Sequence, residues 1–296
     1  GLTDLTPYVD ATPDINLDDF WPATLDQMRY DGKIYGMSNS TIIWMMFYNK
    51  DRMREQGLDP ETLPTDLAGW EEIGNQLYEL SGNSIEKIGF CPMIPYYDVA
   101  SWGATRGVTL WDPETKQAIA NNEVNRPLMI DLFNWYKSYA EKYGAEELQA
   151  FITSYSGNDF GRNTPEGVFY TGRVGVWGTQ SWLYNDMKEY GPDVDFGIAR
   201  MPSPAGMQGK PGALNANMYL VPAGCKTPEG GFAFANYMSS DPWVAIHKAV
   251  PDAVTPSRKS TATLPEVIEG LPWMQTALDD ILPNAYALPS MPSINT

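Results

Sequence analysis

Between Asp31 and Asp51 the chain reads DGKIYGMSNSTIIWMMFYNKD, and Ile42–Tyr48 within it is an unbroken apolar and aromatic run. A strand with one wet face alternates apolar and polar residues. A continuous run bounded by a polar turn (Asp31, Gly32, Lys33) and by Tyr48-Asn49-Lys50-Asp51 therefore predicts a strand covered on both faces, as in an α/β sheet. Such a sheet needs helical layers, and 296 residues suffice for two compact domains with separate cores.

The rest of the chain punctuates itself as alternating helices and strands. Thr65 precedes an apolar stripe at helical spacing (Leu67, Trp70, Ile73, Leu77, Leu80) that Gly82 ends. Asn125-Arg126-Pro127 opens a second helix, carrying Leu128, Leu132, Trp135, Tyr136, Tyr139 and Tyr143 up to Gly144. Thr164-Pro165 predicts a short helix to Tyr170, and Ser181 a capped helix to Tyr190. Thr227-Pro228-Glu229, Asp241-Pro242 and Pro265 start three more. Strands are expected at Lys87–Pro92, Arg173–Trp177, Asp195–Ala199 and Asn217–Val221, in a mainly parallel sheet. Pro202–Gly212 is the most loop-like stretch and is expected to connect domains.

A formal net charge of −17 without a Lys/Arg cluster argues against nucleic acid or an anionic membrane surface as partner. No apolar run reaches the length of a membrane span. The single histidine, His247, leaves no His-rich metal site, and neither metal nor cofactor is expected. Cys91 and Cys225 give no disulfide framework and read as two small thiols. Hydrolase, zinc, Walker and dinucleotide motifs are missing. Acidic pairs such as Asp18-Asp19, Glu71-Glu72, Glu146-Glu147 and Asp279-Asp280 read as solvated helix faces.

Six landmarks in order carry a resemblance. Leu2–Tyr8, Leu63-Pro64-Thr65 leading to Trp70-Glu71-Glu72, Phe169–Val176, Asp195–Pro202, Pro222–Met238 and Thr255-Pro256-Ser257-Arg258 join the Asp31–Asp51 segment. Together they resemble extracellular solute-binding proteins of bacterial ABC importers, above all the maltose-binding-like, carbohydrate-binding branch. The resemblance implies a two-lobed α/β fold of the type II periplasmic-binding kind, with Asp31–Asp51 holding the first crossing between lobes. On that pattern 1–40 and 219–265 form the amino-terminal lobe, 41–212 and 266–296 the carboxy-terminal lobe, and 213–218 a hinge crossing. It also implies sheet segments before Gly1 and helices after Thr296, so the amino lobe is expected to be incomplete and the chain processed or clipped.

The implied activity is capture of a carbohydrate in an interlobe cleft and delivery to an ABC permease, by a monomeric, periplasmic or extracellular protein, with a lipid anchor as one variant. No catalysis is expected. Sugars offer apolar C–H faces with polar rims, so stacked aromatics and side-chain amides suit them. By resemblance the candidate stacking residues are Trp44, Tyr96, Tyr97, Trp102, Trp177 and Trp182, of which at least three are expected to line the cleft with a ring face partly exposed. Gln180 stands where the family's Gly-Pro-Trp corner has its Trp, a departure that weakens maltose itself as ligand. Asn39, Ser40, Thr41, Asn215 and Asn217 are candidate hydroxyl partners or ordinary turn residues. Arg258 either reaches ligand or braces its turn. The alternatives are a polyamine, a sugar acid or a glycerol phosphodiester, an anionic ligand requiring Arg106, Arg173 or Arg258, and a carbohydrate-active hydrolase with paired carboxylates.

Overall fold

The computed structural model describes residues 1–94, 98–156 and 159–289, without the side chains of residues 156 and 159. The chain divides into two compact units, Gly1–Ile43 with Ala213–Thr296, and Trp44–Gly212. One 14-residue strand, Gly36–Asn49, contributes its first half to one unit and its second half to the other. All but one of its residues are buried, as the unbroken apolar run requires.

In the first unit the strand pairs antiparallel with Ala213–Leu220, from Leu214 opposite Ile43 to Leu220 opposite Gly36, with the register shifting between Asn217 and Met218. Thr255–Pro256 pairs antiparallel with Thr41 and Ser40. Tyr286–Ala287 joins Ala213–Leu220 in parallel. Leu5, Val9, Phe20, Met28, Ile34, Met37, Val221, Phe232 and Ala235 form the core beneath. Tyr8 stacks on Phe232 at 5.5 Å between ring centroids, joining the start of the chain to the helix Pro228–Ser240. Segment 266–289 also belongs here, with Trp273, Met274, Ala277, Ile281 and Leu282 buried, whereas the expected division put it in the other lobe. The parallel pairing of Tyr286–Ala287 holds it in this unit, so the strand Gly36–Asn49 and the junction at Gly212–Ala213 are the two points where the chain passes between units.

In the second unit Gly36–Asn49 pairs antiparallel with Val174–Gln180 and with Phe196–Ala199. Ser84–Phe90 runs parallel to Val174–Gln180, with Glu79–Ser81 antiparallel at its edge. The sheets are therefore mixed, not mainly parallel: the central strand's neighbours all run against it. The helix Leu67–Gln76 lies so close to Ser84–Phe90 that a Cβ on Gly89 would run into the Gly74 carbonyl. Two glycines facing each other let the backbones approach.

Asn49 caps the next helix, Lys50–Glu55, accepting from the Arg52 N–H at 3.0 Å. Asp51 accepts from the Asp195 N–H at 2.9 Å, while the Lys50 N–H donates to the Asp195 carbonyl at 2.9 Å. Tyr-Asn-Lys-Asp is thus a strand exit, a cap and a clamp on Asp195.

Local signals lost to tertiary wiring elsewhere. Asp66 rather than Thr65 caps Leu67–Gln76, accepting from Gly69 N–H at 3.0 Å. Thr164–Tyr170 is a set of turns and not a helix. Gly161 and Asn163 have left-handed φ of 76° and 56°, and Tyr170 Oη donates to the Gly161 carbonyl at 2.8 Å, folding the segment back on itself. Leu183–Tyr190 begins with Trp182 at the cap and no side-chain cap bond; Ser181 Oγ is buried without a partner among the described residues.

Candidate functional site

The first unit collects hydroxyls and amides where the central strand crosses. Ser38, Ser40 and Thr41 are buried, Asn39 is 8% exposed, and the paired strands set Asn217 and Pro256 opposite Ser40. Asn217 Nδ2 donates to Ser40 Oγ at 3.1 Å, and Thr41 Oγ1 to the Thr255 carbonyl at 3.4 Å. Ser38 Oγ and Ser257 Oγ lie 2.6 Å apart. Gln27 bridges the neighbouring strand, donating to the Leu214 carbonyl at 2.6 Å and accepting from the Ala216 N–H at 2.8 Å. A buried network this well satisfied fixes a single arrangement of the crossing. Asn215, on the same paired strand, is exposed. Sequence reasoning missed Ser38, Ser257 and Gln27. Ser257 lay inside the quoted Thr-Pro-Ser-Arg turn, but nothing in its spacing points to Ser38.

Arg258 does not join this group. Its guanidinium carbon sits 4.6 Å from the Phe20 ring centroid, and Nη2 donates to Asn236 Oδ1 at 3.4 Å. Burial lowers its pKa, and its Nε has no partner among the described residues. Of the two roles open in the sequence, the geometry favours bracing.

In the second unit Trp44, Gln180 and Trp182 come together. Trp44 pairs with Gln180 across the sheet, and Trp182 Nε1 donates to Gln180 Oε1 at 2.7 Å. Trp182 is partly exposed, and the Arg162 guanidinium carbon lies 3.8 Å from its ring centroid. Arg162 was not legible, since twenty residues of sequence separate it from Trp182. Trp44 is 7% exposed.

Trp102 and Trp177 keep no free ring face. Trp102 is 1% exposed, packed at 5.0 Å from Trp135 and 5.8 Å from Phe90 between centroids. Trp177 is 3% exposed, and its Nε1 donates to the Ile94 carbonyl at 3.0 Å. Both fill the core of their unit, because the strand Val174–Gln180 turns Trp177 inward and Gly178 leaves room for the Trp102 ring edge. Tyr96 and Tyr97 lie outside the described residues.

Charged groups named in the sequence are mostly spoken for. Arg106 Nε bonds Asp131 at 3.0 Å, and Arg173 Nη1 bonds Glu86 at 3.1 Å. Glu71 is not on a solvated face: its Oε1 accepts from Trp135 Nε1 at 2.8 Å and from Tyr139 Oη at 3.0 Å. The cysteines are free, Cys91 buried and Cys225 partly so. Burial pushes the Cys91 thiol up to about 12, which keeps it protonated and inert. His247 is exposed and stacks on Trp243 at 4.5 Å. Among the described residues, no group of three or more metal-ligating side chains occurs and no helix is long and apolar enough to cross a membrane.

Asp98 caps the helix Val99–Ala104, its Oδ1 accepting from the Ser101 N–H at 2.9 Å, while Oδ2 is buried without a partner among the described residues. Burial raises this carboxyl above the usual range despite the Ser101 bonds. A carboxyl raised on folding contributes stability below its unfolded value, about 3.9, and loses it as pH rises through the folded value. Asp98→Asn, which still caps, is therefore expected to stabilise the fold at pH 7 and to lose that advantage near pH 3. Urea midpoints across this range check it; a gain independent of pH would refute the burial argument.

A family model for bacterial extracellular solute-binding proteins matches residues 1–274, and the chain belongs to that family. A protein solved with mannobiose bound is 25% identical, with a TM-score of 0.78 over 94% of this chain and 67% of its own. A Brucella abortus (strain 2308) binding protein of unspecified ligand is 25% identical over 223 residues, 73% of this chain. The arabinooligosaccharide-binding protein of Bacillus subtilis (strain 168) is 30% identical over 92 residues, 31% of this chain and 18% of its own. The chain spans about half the length, 49%, of the Brucella relative it matches.

Proposed function

We propose that this protein captures a carbohydrate, most simply a short oligosaccharide, and delivers it to an ABC import permease. The observation that carries the reading is the content of one strand. Asn39, Ser40 and Thr41 stand on Gly36–Asn49 three to five residues before Trp44, which pairs with Gln180, which in turn accepts from Trp182. An amide beside a partly exposed indole, as at Gln180 and Trp182, is the chemistry that a sugar's polar rim and apolar face require. The mannobiose-bound and arabinooligosaccharide-binding relatives support an oligosaccharide over a charged solute. So do the engaged Arg106 and Arg173 and the inward-packed Arg258, which leave the anionic alternatives without their expected partner. Ligand bridging the two units would select the closed form of a hinge equilibrium, and that form would dock on the permease. The protein would act outside the cytoplasmic membrane, as a monomer, without breaking a bond.

Calorimetric titration of the protein with mannobiose, maltose and arabinooligosaccharides, beside spermidine, galacturonate and glycerophosphoglycerol, tests the reading. Saturable binding of a neutral sugar, recovered unchanged by chromatography, is expected. Tight binding of a charged solute alone, or cleavage of the sugar, would overturn it. Trp182→Ala is expected to weaken the sugar by roughly 1–3 kcal/mol while leaving the unfolding midpoint nearly unchanged. A fold loss without an affinity loss would remove Trp182 from the site.

A further inference from the structure

Phe160 and Asn163 are non-glycine residues with left-handed φ, 60° and 56°, on either side of Arg162, and Gly161 between them has φ 76°. Such conformations persist where surrounding contacts over-determine them, and they cluster at ligand clamps. Here the contacts are visible. Phe160 is buried, its carbonyl accepting from the Val168 N–H at 3.1 Å, and the Gly161 carbonyl accepts from Thr164 Oγ1 at 2.9 Å and Tyr170 Oη at 2.8 Å. Asn163 N–H reaches Asp186 Oδ2 at 3.5 Å, on the helix that follows Trp182. A braced, strained turn thus sets one guanidinium against one face of a partly exposed indole. Gln180 holds the same indole by its N–H.

We infer that Arg162 is a positioning residue that backs Trp182, leaving the indole's other face as the ligand platform and biasing that platform against cations. The inference rests on the carbohydrate reading above and deepens it by excluding one ligand class. Ring orientation is fixed at two independent points, face and edge, so a stacking ligand meets a platform that has little rotamer freedom left to lose. The bias follows from the ring's quadrupole. A cation attracts the negative π face within about 6 Å, and a guanidinium already on one face draws electron density away from the opposite one. A neutral sugar face tolerates that polarisation, whereas a polyamine ammonium loses most of its attraction.

The test uses the full chain with mannobiose and spermidine as probes, and two variants, Arg162→Met, which keeps the apolar stem, and Arg162→Ala. Both are expected to weaken mannobiose roughly three- to tenfold. In the Trp182→Ala background they should add nothing, because the platform they back is gone. Spermidine binding should be undetectable in the wild type and gain in Arg162→Met. Additive losses in the double variant, or unchanged mannobiose binding in both single variants, would overturn the inference. If mannobiose fails to bind the wild type, acrylamide quenching of the Trp182 fluorescence (wild type minus Trp182→Phe) still decides the positioning role. Increased quenching in Arg162→Met supports it and unchanged quenching overturns it, whatever the ligand proves to be.

Discussion

Replacing Trp102 with Ala is expected to cost about 3–5 kcal/mol of unfolding free energy and to leave the sugar affinity of the folded fraction within about twofold of wild type. The ring is 1% exposed and meets Phe90 and Trp135 edge-on, while Gly178 on the adjacent strand carries no Cβ that would touch its six-membered ring. Truncation would leave a void among aromatics that are themselves tied down: Trp135 and Tyr139 both donate to Glu71, and the Arg106 guanidinium carbon lies 4.3 Å from the Trp135 centroid. Collapse into that void would cost these bonds, so relaxation is limited and the penalty falls at the upper end of the range. Trp182→Ala should do the reverse, weakening ligand and sparing the fold. Chemical denaturation and calorimetry on the two variants separate the roles. A Trp102→Ala protein of native stability with lost sugar binding would move this residue back into the site.

The contrast between those two tryptophans shows where sequence reading runs out. Both stand beside landmarks of the family resemblance, and both have the side chain a sugar platform needs. Whether a ring face stays free depends on what other segments bring to it: Phe90 and Trp135 for Trp102, Arg162 for Trp182. No local period encodes those partners. The central strand was legible because its signal is local and continuous, seven apolar residues from Ile42 to Tyr48, bounded by turn and cap residues. Strand direction was not, since a run covered on both faces reads alike in parallel and antiparallel sheets. The same limit applies to segment 266–289, whose place is fixed by the pairing of Tyr286 with Ala213. Glu71 read as solvated because it stands in an acidic pair with Glu72, yet only Glu72 is exposed, and one step around the helix turns Glu71 toward Trp135 and Tyr139.

Arg52→Ala is expected to destabilise the protein by about 3–5 kcal/mol, with ligand affinity retained in whatever folds. The side chain is 5% exposed and serves three acceptors from separate segments: Nη1 reaches the Gly172 carbonyl at 2.8 Å, and Nη2 reaches the Leu77 carbonyl at 2.6 Å and Glu79 Oε1 at 3.0 Å. It thereby joins the helix Lys50–Glu55, the end of Leu67–Gln76, the edge strand Glu79–Ser81 and the turn before Val174–Gln180. Burial lowers the guanidinium's pKa, with Glu79 opposing the shift, so the charge is held at a desolvation cost that the fork geometry offsets. Truncation strands two backbone carbonyls, each worth about 1–3 kcal/mol when left buried and unpaired. Arg52→Lys should fall between, since one ammonium cannot span three acceptors in a planar fork. The acid limb discriminates further. Lys87 first, and Arg52 after it, hold the Glu79 carboxyl below its ordinary range, so its contribution is present above the unfolded value of about 4.3 and lost as pH falls through the folded value. Arg52→Met should therefore lower stability at every pH while keeping most of the acid-side slope. Lys87→Met should flatten that slope with a smaller loss at pH 7, because the Lys87 side chain is 30% exposed. Urea midpoints for both variants between pH 3 and 7 measure these slopes, and a larger neutral-pH loss in Lys87→Met than in Arg52→Met would refute this ranking.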